Sequence, residues 1–345
     1  MKVLVTGSHG YIGMVLVPML IAEGHEVVGL DSDLYRECTF GDGIPNIPLV
    51  RKDIRDVQAS DLAGFDAVMH LAGLSNDPLG DLNPKLTYDI NHQASVRLAK
   101  LSKSTGVKRY IFSSSCSNYG AAGEKMVNEE SDFRPVTPYG NAKVRVEQDV
   151  SKLADKAFSP TFLRNATAYG PSPRLRFDLV LNNLVAWAFT TGLVYLKSDG
   201  TPWRPIVHVE DICRAFIGVL HAPRKVIHNQ AFNVGINGEN FQIRDIAEIV
   251  KETVPGCRIE FSKDAGPDRR SYRVDFRKLA RTIPDYKPQW NARLGAQQLY
   301  ETYQKLGLQL EEFEGPQYKR IDHIRRLLST DCLDTTLRYR KDMAS

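Results

Sequence analysis

Thr6-Gly7-Ser8-His9-Gly10-Tyr11-Ile12-Gly13 is the stretch that decides the fold of this chain. It stands between a short apolar run at residues 3–5 and a helical pattern at residues 11–22, the context in which spaced glycines predict a dinucleotide-binding turn. The first glycine permits the tight turn, the second lets the backbone approach a diphosphate, and the third lets helix and strand pack closely. The helix N-terminus offers N–H groups and a partial positive charge to phosphates. We therefore expect the cofactor to contact Gly7, Gly10, Tyr11, Ile12 and Gly13.

The first half of the chain alternates short apolar runs with helical patterns. Such runs, bounded by polar residues or glycine, are typical of buried parallel strands. They occur at residues 3–5, 26–30, 67–71, 110–113 and 158–164, with helical patterns at 11–22 and 93–105. This alternation predicts an α/β fold, a doubly wound parallel (Rossmann) sheet, with a smaller interleaved C-terminal substrate domain.

Domain boundaries follow from breaks in this pattern. A turn-rich stretch at residues 168–173 ends the regular alternation, so we assign residues 1–165 to a Rossmann domain. Residues 207–211, followed by an apolar helical run, look like a return to the sheet, which adds about 206–222 to that domain. Residues 166–205 and 223–307 are then the substrate-binding part.

The remaining residues, 308–345, form a charged C-terminal tail rich in arginine. We expect solvated helices that pack on the body or reach a second subunit. A site for an anionic partner is the alternative.

Bulk composition excludes several classes of protein. The chain has 345 residues with 42% hydrophobic and 25% charged, and its net charge of +4 is too small to argue for nucleic acid. There is no apolar run of 18 residues, so we expect no membrane span, and no signal peptide is evident. The five cysteines are widely spaced and without CxxC pairs or His/Cys clusters, which predicts reduced thiols in the cytoplasm and no metal site.

Asp31 ends the second predicted strand, in Val28-Gly29-Leu30-Asp31. A carboxylate there accepts hydrogen bonds from the adenosine ribose and repels a 2′-phosphate, which favours NAD over NADP. Arg36 lies near enough to weaken this preference.

Tyr139 and Lys143 lie four residues apart in Thr137-Pro138-Tyr139-Gly140-Asn141-Ala142-Lys143, on one face of a predicted helix. An ammonium near a phenol favours the phenolate, so we expect the pKa of Tyr139 to fall below its reference of about 10. Such a phenol can exchange a proton with a sugar hydroxyl while a cofactor takes the hydride. Y-x-x-x-K alone is weak evidence, but it is specific together with the glycine turn.

Over residues 1–305 the chain resembles the extended short-chain dehydrogenase/reductase family, in the branch that modifies nucleotide-linked sugars. The motifs T-G-x-x-G-Y-I-G and Y-x-x-x-K carry the resemblance. It implies Ser115, Tyr139 and Lys143 as catalytic residues. Besides the glycine turn and Asp31, it implies that the cofactor contacts or depends on Asp53, Ile54, Leu71, Ala72, Gly73, Asn91, Ser113, Tyr139 and Lys143.

The resemblance also implies where a nucleotide-diphosphate sugar binds. Arg204, in Trp203-Arg204-Pro205-Ile206-Val207-His208, would hold the diphosphate, because a guanidinium suits bidentate binding. Thr167 stands where many relatives carry Asn, which leaves one diphosphate contact in question. The full set of expected substrate residues is Ser75, Ser117, Thr167, Arg176, Arg204 and Arg269.

The residues after Ser115 discriminate among reactions within this branch. Sugar dehydratases usually carry Asp-Glu there, and decarboxylases keep a Glu at the second position, whereas this chain has Cys116 and Ser117. Enzymes that epimerise at C3 or C5 place a Cys two residues after the serine, where Ser117 stands. Cys116 would face the other way and is expected to pack in the core.

Reversible oxidation at one sugar hydroxyl remains. We expect an NAD-dependent epimerase acting at C4, in which the coenzyme is regenerated and stays bound. A keto-sugar reductase or sugar dehydrogenase with exchangeable coenzyme shares every motif. A dehydratase, and a non-catalytic NAD-binding protein, are weaker alternatives. Family members commonly dimerise through two helices, here about 93–105 and 139–153, so the resemblance also implies a homodimer.

Overall fold

The structure is a computed structural model that describes residues 1–41, 43–44, 46–123, 125–266 and 270–340. Fourteen strands lie in these residues: β1 (Lys2–Thr6), β2 (Glu26–Asp31), β3 (Leu49–Arg51), β4 (Ala67–His70), β5 (Arg109–Ser115), β6 (Met126–Val127), β7 (Ser159–Asn165), β8 (Thr167–Tyr169), β9 (Leu193–Ser198), β10 (Trp203–His208), β11 (Gln230–Val234), β12 (Asn240–Gln242), β13 (Arg258–Gly266) and β14 (Arg273–Val274).

The same residues contain thirteen α-helices: α1 (Gly13–Ala22), α2 (Asp77–Leu82), α3 (Pro84–Tyr88), α4 (Ser95–Ser104), α5 (Pro138–Ser151), α6 (Val180–Thr191), α7 (Val209–His221), α8 (Arg224–Ile227), α9 (Ile243–Thr253), α10 (Arg277–Thr282), α11 (Ala292–Leu306), α12 (Leu310–Glu314) and α13 (Arg320–Ser329). In this part of the chain, no helix combines the length and apolar character that crossing a bilayer requires.

A seven-stranded parallel sheet forms the centre, in the order β11-β7-β5-β4-β1-β2-β3. Successive strands are added on one side of β1 up to β3 and on its other side from β4 onward, and the switch point between β1 and β4 opens a crevice at the carboxyl ends of the strands. Helices cover both faces: Leu16 of α1 packs with Phe216 of α7 in one core, and Leu98 of α4 with Val146 of α5 in the other. The predicted doubly wound Rossmann fold is confirmed.

A second, smaller unit follows the central sheet. Strand β10 pairs with β8 and β12, and β13 pairs with β9. Helices α6, α9 and α11 pack together around a separate core that includes Leu184, Ile246 and Leu299. This unit is interleaved with the first, because the chain returns to the central sheet at α7 and β11.

The return to the sheet differs from the sequence-based boundaries. Within residues 206–222, helix α7 packs on β5 and β7, but strand β10 stays in the small three-stranded sheet. The seventh strand of the central sheet is β11, which the sequence places in the substrate-binding part. Because β7 is buried at every residue, its outer edge needs a partner strand, and β11 supplies one.

The C-terminal tail forms two helices and an irregular segment that pack on the body. Phe313 of α12 joins the core of the second unit, whereas Ile324, Leu327 and Leu333 join the core under α4 and α5. The tail is therefore an integral part of the fold.

His70, at the end of β4, predicts how acid affects the fold. Its ring hydrogen-bonds the hydroxyls of Thr6 (2.6 Å) and Ser95 (2.7 Å), and burial lowers its pKa from 6.5 to about 3. Between these values the unfolded chain binds the proton and the folded chain does not, so stability is lost as the pH falls through this window. We expect His70→Gln to flatten this dependence, measured as the midpoint of urea unfolding from pH 7 to pH 3. Parallel curves for variant and wild type would show that His70 does not contribute.

Candidate active site

The main cleft lies at the carboxyl edge of the central sheet and encloses about 950 Å³ of space that is continuous with open solvent. Loops after β1, β2 and β4 form its walls. It is lined by Gly7, His9, Gly10, Tyr11, Ile12, Gly13, Asp31, Ser32, Leu34, Tyr35, Asp53, Ile54, Leu71, Ala72, Gly73, Leu74, Ser75, Ile90, Arg176, Arg320 and Leu337. Most of the residues expected to bind the cofactor therefore share one cleft.

The glycine turn at the floor of the cleft has no room for side chains. Gly7 has a φ of +73°, and its N–H donates to the carbonyl of Leu30 over 2.8 Å. A Cβ on Gly7 would lie 2.7 Å from the Ala72 nitrogen, and one on Gly13 would lie 2.2 Å from the Gly7 carbonyl oxygen. Strand, turn and helix can be this close only because these positions are glycine.

Asp31 lies at the edge of the same turn. Its carboxylate accepts hydrogen bonds from the backbone N–H groups of His9 (3.0 Å) and Asp33 (2.8 Å), while burial raises its pKa. Each carboxylate oxygen keeps a further lone pair, so ribose hydroxyls can still donate to it. The guanidinium of Arg36 lies 4.7 Å from the centre of the Tyr339 ring.

The loop after β4 forms the opposite wall and is held by Asn91. The Asn91 side chain accepts from the Leu74 N–H (2.7 Å) and donates to the Leu74 carbonyl (2.8 Å). A Cβ on Gly73 would lie 2.9 Å from the Asn91 oxygen. Asn91 thus shapes the wall of the cleft from behind, and its role toward the cofactor stays a prediction.

Asp53 and Ile54, from the short turn after β3, close the far end of the cleft. The Asp53 carboxylate pairs with Arg55 over 2.6 Å and accepts from the Arg55 N–H, while the Ile54 side chain is buried.

Tyr139 and Lys143 lie on α5 and are not among the lining residues of the cleft, but Tyr139 is close enough to Arg176, which lines it, for that charge to lower its pKa. The Thr137 hydroxyl caps the helix by accepting from the Gly140 N–H, and Pro138 occupies the first turn, so the start of the helix is well defined. The Lys143 ammonium donates to the Ser113 carbonyl over 2.6 Å and lies 5.7 Å from the centre of the Tyr139 ring. Ser115 ends β5, and its hydroxyl accepts from the Ser117 N–H over 3.1 Å.

The pKa of Tyr139 differs from the sequence-based expectation. Burial raises it to about 12, and the Asp77 carboxylate acts in the same direction, whereas Arg176 and a hydrogen bond with Ser115 lower it. Burial also lowers the pKa of Lys143 from 10.5 to about 8. The sequence shows that the phenol and the ammonium are neighbours, but it does not show that both are withdrawn from water, which favours their neutral forms.

A buried polar network anchors α5 to the central sheet. The guanidinium of Arg164 on β7 binds the Glu147 carboxylate through Nε (3.1 Å) and Nη2 (2.7 Å), with both side chains almost fully buried. Ser114 and Asn118 donate to the same carboxylate. Because Glu147 lies one turn after Lys143, this network fixes the rotation of the helix that carries Tyr139.

Cys116, the residue after Ser115, is buried in the core, and its thiol points to the Arg164 carbonyl. Burial raises its pKa well above that of an exposed thiol. It is a packing residue, as the sequence predicts. No carboxylate occupies position 116 or 117.

The expected substrate residues are only partly brought together. Arg176 and Ser75 line the main cleft, and Arg176 Nη2 binds Asp178 over 2.6 Å and the Ser75 carbonyl over 3.4 Å. The Ser117 hydroxyl is buried without a hydrogen-bond partner in the structure. Thr167 begins β8, opposite Ile206 of β10.

Arg204 lies away from the cleft lining, at the start of β10. Its Nη1 donates to the carbonyls of Trp203 (2.9 Å) and Arg270. Arg270 in turn pairs with Asp77 over 2.6 Å, next to Tyr139. Arg269 lies outside the described residues. The sequence-based choice of Arg269 therefore stays a prediction, whereas its neighbour Arg270, which the sequence-based set leaves out, contacts Arg204 and Asp77.

Sequence reasoning misses eight cleft residues, among them Leu34 and Tyr35, which follow the Asp31 strand, and Arg320 and Leu337 from the tail. Proximity to Asp31 is a signal for the first two. Nothing in the sequence links the tail to the cleft, because the tail follows β2 by nearly 300 residues.

The cleft fits a dinucleotide. The glycine turn leaves the space that side chains would fill, the N-terminus of α1 faces it, and Asp31 stands where ribose hydroxyls need an acceptor.

Comparison with known proteins agrees with this geometry. A sequence profile of the NAD dependent epimerase/dehydratase family matches residues 3–235. The chain belongs to this family. It is an NAD-dependent enzyme of the extended short-chain dehydrogenase/reductase type.

Relatives with assigned functions cover most of the chain. A UDP-glucose 4-epimerase of Lactobacillus helveticus is 32% identical over 315 residues, 84% of this chain and 92% of its own. UDP-glucose 4-epimerase 4 of Oryza sativa subsp. japonica is 30% identical, over 86% and 87% of the two chains.

Solved structures share the fold. MoeE5 in complex with UDP-glucose and NAD is 26% identical, with a TM-score of 0.76 over 88% of this chain and 99% of MoeE5. The UDP-glucose 4-epimerase of Thermotoga maritima, at 24% identity, reaches a TM-score of 0.77 over 89% and 100% of the chains.

Gly13→Ala is expected to weaken NAD binding at least about tenfold, which corresponds to the loss of one charge-assisted hydrogen bond. The Cβ of the alanine would push the Gly7 carbonyl away and distort the turn that faces the phosphates. Titration of apoprotein with NAD measures this. Gly238→Ala is the control, since a Cβ there meets no atom within 4 Å. Equal NAD affinity of both variants would contradict the tight-turn account.

Glu147→Gln is expected to destabilise the protein by about 3–5 kcal/mol, because it leaves the buried Arg164 guanidinium without its counter-charge. Urea unfolding measures the change. Glu248→Gln removes a carboxylate from an exposed pair with Lys251 and should cost at most about 1 kcal/mol. A similar small loss for both variants would show that the network does not anchor α5.

Proposed function

We propose that this protein is a nucleotide-sugar 4-epimerase that keeps its NAD bound through the catalytic cycle. The observation that carries the proposal is the grouping of Tyr139, Ser115 and Lys143 close to Arg176, a lining residue of the dinucleotide cleft, without a carboxylate at position 116 or 117. The assigned functions of the relatives support the choice of C4 and of UDP-glucose as the first substrate to test.

The proposed chemistry assigns one role to each of these residues. NAD, when bound, accepts hydride from the sugar carbon and returns it to the other face. The Tyr139 oxygen accepts the proton of the sugar hydroxyl and later gives it back. Ser115, which hydrogen-bonds Tyr139, orients the same sugar oxygen. The ammonium of Lys143 and the guanidinium of Arg176 stabilise the phenolate that a buried phenol disfavours on its own.

For the cofactor, we propose contacts with the glycine turn, Asp31, Asp53, Ile54 and the loop from Leu71 to Gly73. Asn91 and Ser113 act from behind: Asn91 holds the cleft wall, and the Ser113 carbonyl holds Lys143. This assignment is supported by the shared cleft and by the absence of space for side chains at the turn.

For the substrate, we propose a diphosphate held near Arg204 and Arg270 and a sugar next to Ser75, Ser117 and Arg176. The unpartnered Ser117 hydroxyl is available to a sugar hydroxyl. We keep Arg269 and Thr167 as proposed contacts on the strength of the family resemblance. Residues 166–205 and 223–307, apart from β11, form the proposed substrate-binding part, with residues 1–165 as the cofactor-binding domain.

Nucleotide sugars incubated with the purified protein, without added coenzyme, test the proposal by NMR. UDP-glucose, UDP-glucuronic acid and TDP-glucose form the panel. Conversion of one sugar into its 4-epimer is the expected result. Turnover that starts only when NADH or NADPH is added, with stoichiometric oxidation of the coenzyme, would instead establish a reductase.

Tyr139→Phe is expected to lower kcat by about 10²–10⁴, the usual contribution of a general acid–base group, while NAD binding persists. Epimerisation followed by NMR measures kcat, and titration of apoprotein measures NAD affinity. Tyr195→Phe is the control, because Tyr195 packs against Trp187 in the second unit. Unchanged turnover in Tyr139→Phe would refute the proposed role.

We also propose a cytoplasmic homodimer. Helices α4 and α5 pack side by side on one face of the sheet, and all five cysteines are free thiols, as in a reducing compartment. A dimer through these helices would help to hold Tyr139 in place. Sedimentation showing a monomer at micromolar concentration would exclude it, and cell fractionation tests the location.

A further inference from the structure

Arg320 is a buried cation in the wall of the main cleft. It begins helix α13 in the C-terminal tail, is 2% exposed, and lines the cleft together with Tyr35 and Leu337. Its guanidinium stacks on the Tyr35 ring, 3.7 Å from the ring centre, and Nη2 donates to the Arg174 carbonyl over 3.1 Å.

Among the described residues, no direct ion pair balances the charge of Arg320; the Asp178 carboxylate acts on it from a longer distance and is itself paired with Arg176. The Arg320 Nη1 is buried without a hydrogen-bond partner, and no carboxylate of the described residues lies within ion-pair distance. The two other arginines at this wall are paired: Arg176 with Asp178 over 2.6 Å, and Arg174 with Asp33 over 3.5 Å. Burial lowers the pKa of Arg320.

An unpaired buried guanidinium is costly, so its persistence in a cleft wall points to an anionic ligand. The contacts of Arg320 indicate which anionic ligand this is. Arg174, whose carbonyl it holds, donates from Nε to the His9 carbonyl over 3.2 Å, within the glycine turn. Arg320 is therefore connected through one residue, Arg174, to the turn where the diphosphate of a dinucleotide binds.

We propose that Arg320 binds the diphosphate of NAD, and that residues 318–340, which we call the C-terminal cover, close the cofactor cleft. This proposal rests on the use of NAD by the proposed epimerase. A guanidinium binds phosphate oxygens through paired N–H groups, and Nη1 is the group left free for them.

The C-terminal cover contacts two loops beside the cleft, the first after β2 and the second after β3. Tyr318 and Tyr339 donate their hydroxyls to the carbonyls of Thr39 (3.1 Å) and Asp33 (3.2 Å), and the His323 ring bonds the Leu34 carbonyl (2.9 Å).

Arginines on both segments connect the C-terminal cover to the loop after β3. Arg338 pairs with Asp56 over 2.9 Å, and Arg55 donates to the Thr336 carbonyl over 2.8 Å. Contacts to both loops hold the cleft narrow, which slows release of a bound coenzyme. An enzyme that regenerates its NAD in every cycle gains from such retention.

Arg320→Met tests the proposal through binding rather than turnover. Apoprotein is titrated with NAD, ADP-ribose and adenosine, and the release rate of NAD is followed after dilution. We expect NAD and ADP-ribose to bind about tenfold to hundredfold more weakly and NAD to leave faster, whereas adenosine, which lacks phosphate, binds as to wild type. Arg325→Met is the matched control, since Arg325 lies on the same helix, is exposed, and pairs with Asp322 on the protein surface.

Melting temperatures separate this role from a structural one. Without dinucleotide, Arg320→Met should melt close to wild type, because it removes an unbalanced buried charge, while the stabilisation by NAD should shrink. Equal NAD affinity in wild type and variant, or equal weakening for adenosine and NAD, would overturn the proposal. Weakened binding of UDP-glucose with unchanged NAD affinity would also overturn it.

Should Arg320→Met not fold, Arg320→Lys takes its place. This variant keeps the charge and loses the paired N–H groups, so NAD should bind more weakly and adenosine equally well. Because every readout is a binding constant or a melting temperature, failure of this proposal is distinct from failure of the epimerase assignment, which NMR decides.

Discussion

The buried ion pair between Glu147 and Arg164 is the interaction on which the reaction site depends. It joins α5 to β7, and the same carboxylate accepts hydrogen bonds from Ser114 and Asn118 at the end of β5. Such a network is costly to desolvate, and the charges of Glu147 and Arg164 must stay paired, which favours one arrangement of helix and strands. One turn before Glu147 is Lys143, and one turn further is Tyr139. The Glu147–Arg164 ion pair therefore sets the rotation of α5 and, with it, the direction in which Lys143 and Tyr139 point.

The cofactor side of the site depends on a different constraint, the space between backbones. At the glycine turn, α1 approaches β1 so closely that a Cβ at Gly13 would overlap the Gly7 carbonyl. This compact floor is combined with a wall from the far end of the chain, where Arg320 and Leu337 face the cleft. In our proposal, the glycine turn binds the dinucleotide and the C-terminal cover retains it. Both properties suit an enzyme that returns the hydride to the sugar from which it came.

Much of the fold could be predicted from the sequence because its signals are local. The glycine turn, five of the seven strands of the parallel sheet (β1, β2, β4, β5 and β7) and the Y-x-x-x-K helix each lie within a few residues, and their spacing has a direct structural meaning. The three-residue strand β3 is too short to give such a signal. The sequence does not predict that β11, rather than β10, is the seventh strand of the central sheet. Both strands are short apolar runs, and only tertiary packing decides which of them pairs with the edge of β7.

The parts of the site that escaped prediction depend on burial and on distant contacts. The raised pKa of Tyr139 follows from withdrawal from water, which a pattern of residue types does not report. Arg320 appeared in the sequence as one of several charges in a tail, and only the structure separates it from Arg325, which is exposed on the same helix. The Asp77–Arg270 pair likewise joins residues almost two hundred positions apart.

Isotope tracing tests the central claim, transient oxidation and return of hydride at one carbon, most directly. The nucleotide sugar that the enzyme converts is prepared with deuterium at C4 and incubated in ordinary water without added coenzyme. We predict that the epimer keeps the deuterium at C4, because the same hydride leaves and returns within one closed cleft. Loss of the label to solvent, or its appearance in free coenzyme, would contradict this account.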